Sequence, residues 1–232
     1  MKASAKAQHT RSPAPDMSWV ELIGGHPTID LVNTVAWRHA PHRTVDRLTD
    51  ADVLLAWSVA AGVLPPDRAA QFRADVVADA SLGSQVLESS RSVRAMAHRL
   101  LRPVAAGARP SSAHVRAVHA AVVPALGRAQ IVDVVPLRWE VELRTVQDLP
   151  TALTFSLWQL LQFEDLHRLR ACLDTDCGWL FLDRSKNASR VWCSSADCGN
   201  RTRQRRHYQR RHATDGRLGA ARSKNRGSEV GG

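Results

Sequence analysis

CLDTDCGWLFLDRSKNASRVWCSSADC, residues 172–198, holds all four cysteines of the 232-residue chain. They form two pairs, Cys172 with Cys177 and Cys193 with Cys198, each with four residues between its sulfurs, and fifteen residues separate the pairs. That spacing lets both pairs reach one zinc ion, and the interval suits a short hairpin. Four thiolates complete a tetrahedron and leave no position for water or substrate, so the expected metal is one structural Zn²⁺ on Cys172, Cys177, Cys193 and Cys198. Disulfides or unrelated free thiols are the competing uses. Disulfides need an oxidising compartment, and the opening MKASAKAQHTRSPAPDM lacks the apolar core of a signal peptide. A redox pair would carry two intervening residues rather than four.

The residues between the pairs extend the reading. Gly178 can relax a metal knuckle, Trp179 to Leu182 form a strand-like run, Asp183 to Ser189 is turn-forming, and Arg190, Val191 and Trp192 read as a returning strand. Cys198 then leads into GNRTRQRRHYQRRH, a proline-free run that predicts a helix. Knuckle, hairpin, knuckle and helix make a treble-clef-like zinc finger. Trp179, Phe181 and Trp192 are expected to form its small core, packing rather than stacking on bases, because so short a unit needs a metal cross-link.

The run from about 170 to 208 resembles the CGNR-type zinc finger, named for Cys198, Gly199, Asn200 and Arg201. The resemblance rests on both cysteine pairs with Gly178, Trp179, Phe181, Asp183, Ser185, Asn187, Arg190 and Trp192. Val191 departs from it, standing where a second basic residue is common.

Charge points the same way. The net charge is +10, and from Cys172 onward there are 13 Lys and Arg against 6 Asp and Glu, so most of the excess lies on and behind the finger. That asymmetry suggests a polyanionic partner, most simply nucleic acid; the basic segment has no apolar face for a membrane. Arg201, Arg203, Arg205, Arg206, Arg210 and Arg211 crowd the predicted helix as candidate phosphate contacts. The competing reading is a solvated helix whose charge offsets the thiolate centre and Asp174, Asp176 and Asp197.

Upstream, the sequence predicts a helical body. Trp19 to Ile23 reads as an extended lead-in or short strand, ended by Gly24 and Gly25. His26-Pro27 then opens a helix with Ile29, Val32, Val35 and Ala36 on one face and Asp30, Asn33 and Thr34 on others. The glycine pair lacks the GxGxxG or GK[ST] context of a phosphate loop. A second helix starts with Thr49 as cap answered by Asp52; a third covers Asp67 to Val77; a fourth runs from Ser84 to Leu101 and stops before Pro103. Ser111 or Ser112 caps a fifth to about Val123, and Leu149 to about Leu166 is a sixth. AQIVDVVPLRWEVEL, residues 129–143, predicts two short strands interrupted at Pro136. With hardly any linker before the finger, body and finger are expected to pack rigidly.

ELIGGHPTIDLVNTVAW, residues 21–37, resembles the opening of the ABATE domain, which commonly precedes CGNR fingers in bacterial proteins described as stress-induced transcription regulators. Leu31 stands where an aromatic is expected. Asp30 and Asn33 are the candidate ligand residues, with a helix cap or buried hydrogen-bond network as the plainer role.

The expected fold is therefore mainly α with a small β element. It comprises a disordered N-terminus (1–17), an ABATE-like helical domain (18–166), the finger with its basic helix (167–212) and a flexible basic tail (213–232). The two resemblances together imply a DNA-binding transcription regulator, with a small-molecule effector and a homodimer as further candidate partners, and with neither a signal core nor a spanning run the expected location is cytoplasmic. An RNA- or protein-binding module, and an enzyme in the body targeted by the finger, are the alternatives. No catalytic constellation stands out, His39/His42 and His114/His119 are poorly spaced for a metal, and Val53 to Leu64 is too short to span a bilayer.

Overall fold

The structure, a computed structural model, describes residues 15–210. The expected tail (213–232) and most of the expected disordered N-terminus lie outside them. Met17, which that expectation included, instead packs half-buried against the body core.

The body begins with a lead-in that forms no strand and then helix α1 (Pro27–Asn33), started by Pro27 and capped by the His26 imidazole, which accepts the Thr28 N–H at 3.2 Å. The helical spacing predicted continuation to Ala36. Instead Val35–Ala36 is strand β1, paired antiparallel with β2 (Val45–Asp46). The chain turns because Thr34 closes on the Leu31 carbonyl at 2.7 Å, and β-branched Val35 favours an extended backbone.

Helix α2 (Ala51–Ala60) is capped by Asp50, whose carboxylate accepts from Val53 N at 2.9 Å; Thr49, the expected cap, donates its hydroxyl to that same side chain. Helices α3 (Pro66–Ala78) and α4 (Ala80–Ala105) follow, the latter capped by Asp79. Helix α5 (Ser112–Gly127) starts on Ser111. Two expected helix ends are overrun: α4 continues through Pro103 and α5 through Pro124. Burial of Leu100 and Leu101 in one and of Ala125 in the other holds the last turns against the proline penalty. Strands β3 (Ala129–Val134) and β4 (Leu137–Val141) form a hairpin closed by Val135 and Pro136, and α6 (Leu149–Phe163) completes the body.

Helix α4 is the spine, packed against α1, α2, α3, α5 and α6. One apolar cluster gathers Leu54, Trp57, Phe72 and Leu153 on one side of it. A second gathers Ile29, Val32, Leu100, Leu101, Leu157 and Leu160 on the other. Buried Arg94 of α4 ties in the β1–β2 ribbon, forking onto both Asp46 oxygens (2.6 and 2.5 Å) and donating to the Thr34 hydroxyl at 2.9 Å.

After α6 the chain enters β5 (Leu169–Ala171), which pairs antiparallel with β6 (Leu180–Leu182) in the register Leu169↔Leu182, Arg170↔Phe181 and Ala171↔Leu180. This corrects the hairpin expected between the cysteine pairs: β6 takes its partner from before Cys172, and 190–192 is not a strand. Asp183, fully buried, is the cause. Its carboxylate accepts from Ser185 N and Arg190 N, both at 2.9 Å, and curls 183–190 into a loop; only Leu173 N to Val191 O (3.0 Å) remains of the returning strand. A π-helical turn (Ser195–Gly199) leads into α7, helical from 200 to the last described residue, 210.

Candidate metal centre and arginine helix

The four cysteine sulfurs lie within 4.8 Å of one another and all four residues are buried. Cys177 and Cys193 are 3.7 Å apart, Cys193 and Cys198 3.4 Å. A zinc–sulfur bond of about 2.3 Å gives a tetrahedron with edges of about 3.8 Å, so the sulfurs already sit where one ion would hold them. Their protonation tells the same story. The thiols of Cys177, Cys193 and Cys198, turned on Cys172, hold its pKa far down, while contact with Cys172 pushes Cys177 and Cys193 up. A divalent ion at their centre would offset the mutual repulsion of four thiolates. The donor set fits one structural Zn²⁺. Trp179 and Phe181 are buried beside the sulfurs with half-buried Trp192, the small core expected there.

Gly178 follows Cys177 with φ 75°, and a Cβ there would stand 2.8 Å from Arg38 Cβ, so both backbone and space require glycine. That close approach docks the knuckle on the body. Arg38 N donates to Cys177 O at 3.1 Å, His39 N to Asp176 O at 3.3 Å, and the Trp179 indole to Val35 O at 3.1 Å. Just before Arg38, Trp37 holds φ 57°, an unusual backbone for so bulky a residue. Its ring lies between the guanidinium groups of Arg43 (3.8 Å) and Arg201 (4.4 Å).

The six arginines divide. Arg201 turns inward: Nε donates to fully buried Asp174 at 2.8 Å, Nη1 to Asp197 at 2.7 Å, and Nη2 to the Cys198 sulfur at 2.9 Å. Burial alone would lower its pKa, but the Asp174 hydrogen bond and the charges of Cys198 and Asp197 outweigh that and raise it. Arg205 follows, donating to the Thr175 hydroxyl and to Asp176 at 3.3 Å. These two make the contacts that the charge-offset reading describes. Arg203, Arg206 and Arg210 are exposed, whereas Arg211 lies outside the described residues. At about 100° per residue the three fall within about 60° of arc, on the side of α7 away from Arg201 and Arg205. Arg206 has no ion pair among the described residues; Arg203 bonds only Ser195 O and Asn200 and lies 5.6 Å from the Trp192 ring.

The candidate ligand residues of the body lie in a buried hydrogen-bond network. Asp30 accepts the Gly24 N–H at 2.7 Å, and burial pushes its carboxyl up to about 6 against that one hydrogen bond. Asn33 bonds both backbone groups of Leu180. The cavity beside them, about 10 Å³, has room for a water molecule at most.

Trp37, Arg38, Asp174 and Asp183 escaped the sequence reading as site residues. The one available signal was the pair of acids inside the first knuckle, Asp174 and Asp176, which require internal cations; nothing local marks Trp37 as the surface that receives them.

A closed four-cysteine centre seated on a helical body defines a protein with a structural zinc finger, its remaining cationic face turned outward. Residues 168–211 match the CGNR zinc finger model, and residues 25–162 match the ABATE model, described as "Putative stress-induced transcription regulator". The second match covers more than half of the chain, which belongs to that family. The two matches together suggest a zinc-binding regulator. No curated protein matches the chain, and among the described residues no helix is long and apolar enough to cross a membrane.

Proposed function

We propose that the protein is a DNA-binding transcription regulator that lays the outer stripe of α7, Arg203, Arg206 and Arg210, against backbone phosphates. The division of the arginines carries this reading. Arg201 and Arg205 turn onto Asp174, Asp176 and Asp197 beside the metal centre, whereas Arg203 and Arg206 are exposed and make no ion pair among the described residues. The zinc centre fixes the start of α7, and the body fixes the zinc centre, so the stripe is presented by a rigid support. Arg211, next in sequence, adds to the same basic segment. Phosphate contact supplies affinity and register; which bases are read depends on contacts these arginines alone do not define.

The test is duplex-DNA binding by fluorescence anisotropy across a salt series. With about four phosphates neutralised by Arg203, Arg206, Arg210 and Arg211, log K falls against log salt with a slope near −3.6. Replacing Arg203 and Arg206 by alanine is expected to shorten that slope by about 1.8 and leave zinc content intact. Unchanged binding in the double variant defeats the assignment, and preference for structured RNA in competition moves the reading to RNA.

A further inference from the structure

Of the thirteen exposed large apolar side chains among the described residues, five lie between 131 and 137, in the β3–β4 hairpin. The register sets Ile131 opposite Trp139 and Val134 opposite Leu137, so those side chains share one face. Toward the base that face meets the body, where Val141 is buried; toward the tip Ile131, Val134 and Leu137 are each more than half exposed. A two-stranded sheet with such a face is marginal by itself, and among the described residues each strand keeps one edge without a strand partner. Alongside β4 runs an open groove of about 820 Å³, walled by Val63, Leu64, Pro65, Trp139 and Phe155.

The sequence of β4 says what fits this edge. Reading Leu137, Arg138, Trp139, Glu140, Val141 about Trp139 as a two-fold centre, an antiparallel copy of the strand places Arg138 opposite the partner's Glu140, and Glu140 opposite the partner's Arg138. On the other face Leu137 falls opposite the partner's Val141, and the two Trp139 side chains meet at the axis. Among the described residues Arg138 and Glu140 form an ion pair only with each other, 3.4 Å apart and both exposed, with Asp133 and Gln130 as their cross-strand neighbours. We propose that the protein forms a two-fold dimer through β4, joining the two hairpins into a four-stranded antiparallel sheet and directing each apolar tip toward the other subunit's groove. The charge order of the strand is self-complementary, and an isologous interface requires that property. The inference is independent of nucleic-acid binding.

The experiment is sedimentation equilibrium on the zinc-loaded full chain, with Arg138→Glu, Glu140→Arg and the double exchange. A dimer is expected for the native chain. Either single reversal sets like charges opposite each other twice per interface and should weaken the dimer by about tenfold or more; the double exchange should return it to within about threefold of native. Both residues are exposed, and recovery in the double variant excludes misfolding as the cause of the loss. A monomer at about 100 µM, where a micromolar interface is filled, overturns the proposal. So does a dimer indifferent to the single reversals, or one that the double exchange fails to restore.

Discussion

Asn33, the last residue of α1, pairs with the backbone of Leu180 in β6 on both sides: Nδ2 donates to the carbonyl at 2.8 Å and Oδ1 accepts the amide N–H at 2.9 Å. One side chain of the body thus acts as a strand neighbour for the finger. Leu182 N adds a bond to Gly24 O at 2.9 Å on the same edge.

Asn33→Ala strips two buried backbone groups of their partners, at a cost of about 2–4 kcal/mol. Calorimetry should show a fall in Tm of about 5–15 °C. A change within error would mean that water replaces the amide and that the contact does not hold the two parts together.

Zinc removal should be felt far from the sulfurs. Leu169, Leu180 and Leu182 sit in the same cluster as Ile29, Leu101 and Leu160, so the metal knuckle and the helical core share side chains. Chelation, or Cys193→Ser, is expected to lower the melting of the helical circular dichroism signal together with the finger, in one transition. A body that melts unchanged while the finger is lost would contradict this coupling.

Arg201 and Arg206 lie five residues apart on one helix and should behave oppositely. Arg201→Ala leaves buried Asp174 with only the looser ion pair to Arg205 at 3.9 Å, at a cost of about 3 kcal/mol, and weakens zinc retention against a competing chelator. Arg206→Ala should stay within about 0.5 kcal/mol of native stability. Equal stability losses in the two variants would undo the inward and outward division of α7.

Asp30 makes stability depend on pH in a direction opposite to most carboxylates. Its folded pKa, raised from 3.8 to about 6, means the native state holds a proton that the unfolded chain releases. The stabilisation is complete below pH 3.8 and is lost as pH rises through about 6, a span of about 2–3 kcal/mol. Asp30→Asn keeps the acceptor for Gly24 and removes the titration. The variant should gain on the native chain between pH 4 and 7 in urea melts, then hold a constant lead. His26 and His98, each lowered by burial to about 4, lose stability as pH falls below 6.5, but both proteins carry them and they cancel in the difference. A difference flat across this range would show that Asp30 stays ionised when folded.

What the sequence made legible was local. Ligand spacing is a property of a few adjacent residues, so both cysteine pairs read directly, as did most helices from their apolar intervals, although Asp50 and Asp79 cap α2 and α4 where Thr49 and a start at Ser84 were expected. The partner of β6 was not legible, because it depends on Asn33, 147 residues away, and on Asp183 curling the loop that would otherwise return as a strand. The α4 and α5 ends were misplaced for a related reason: Pro103 and Pro124 are breakers by propensity, and burial against neighbours remote in sequence overrides them. Arg201 looked like its neighbours in a basic run. Only the fold reveals that Asp174 and the Cys198 sulfur claim it.

Because Leu180 and Leu182 line a wall that the first helix also lines, order of synthesis matters to this chain. A chain ending at Ala171 would lack Leu180 and Leu182, two members of the cluster that holds Ile29 and Leu101. Grafting the finger onto another scaffold would take part of this one's interior with it.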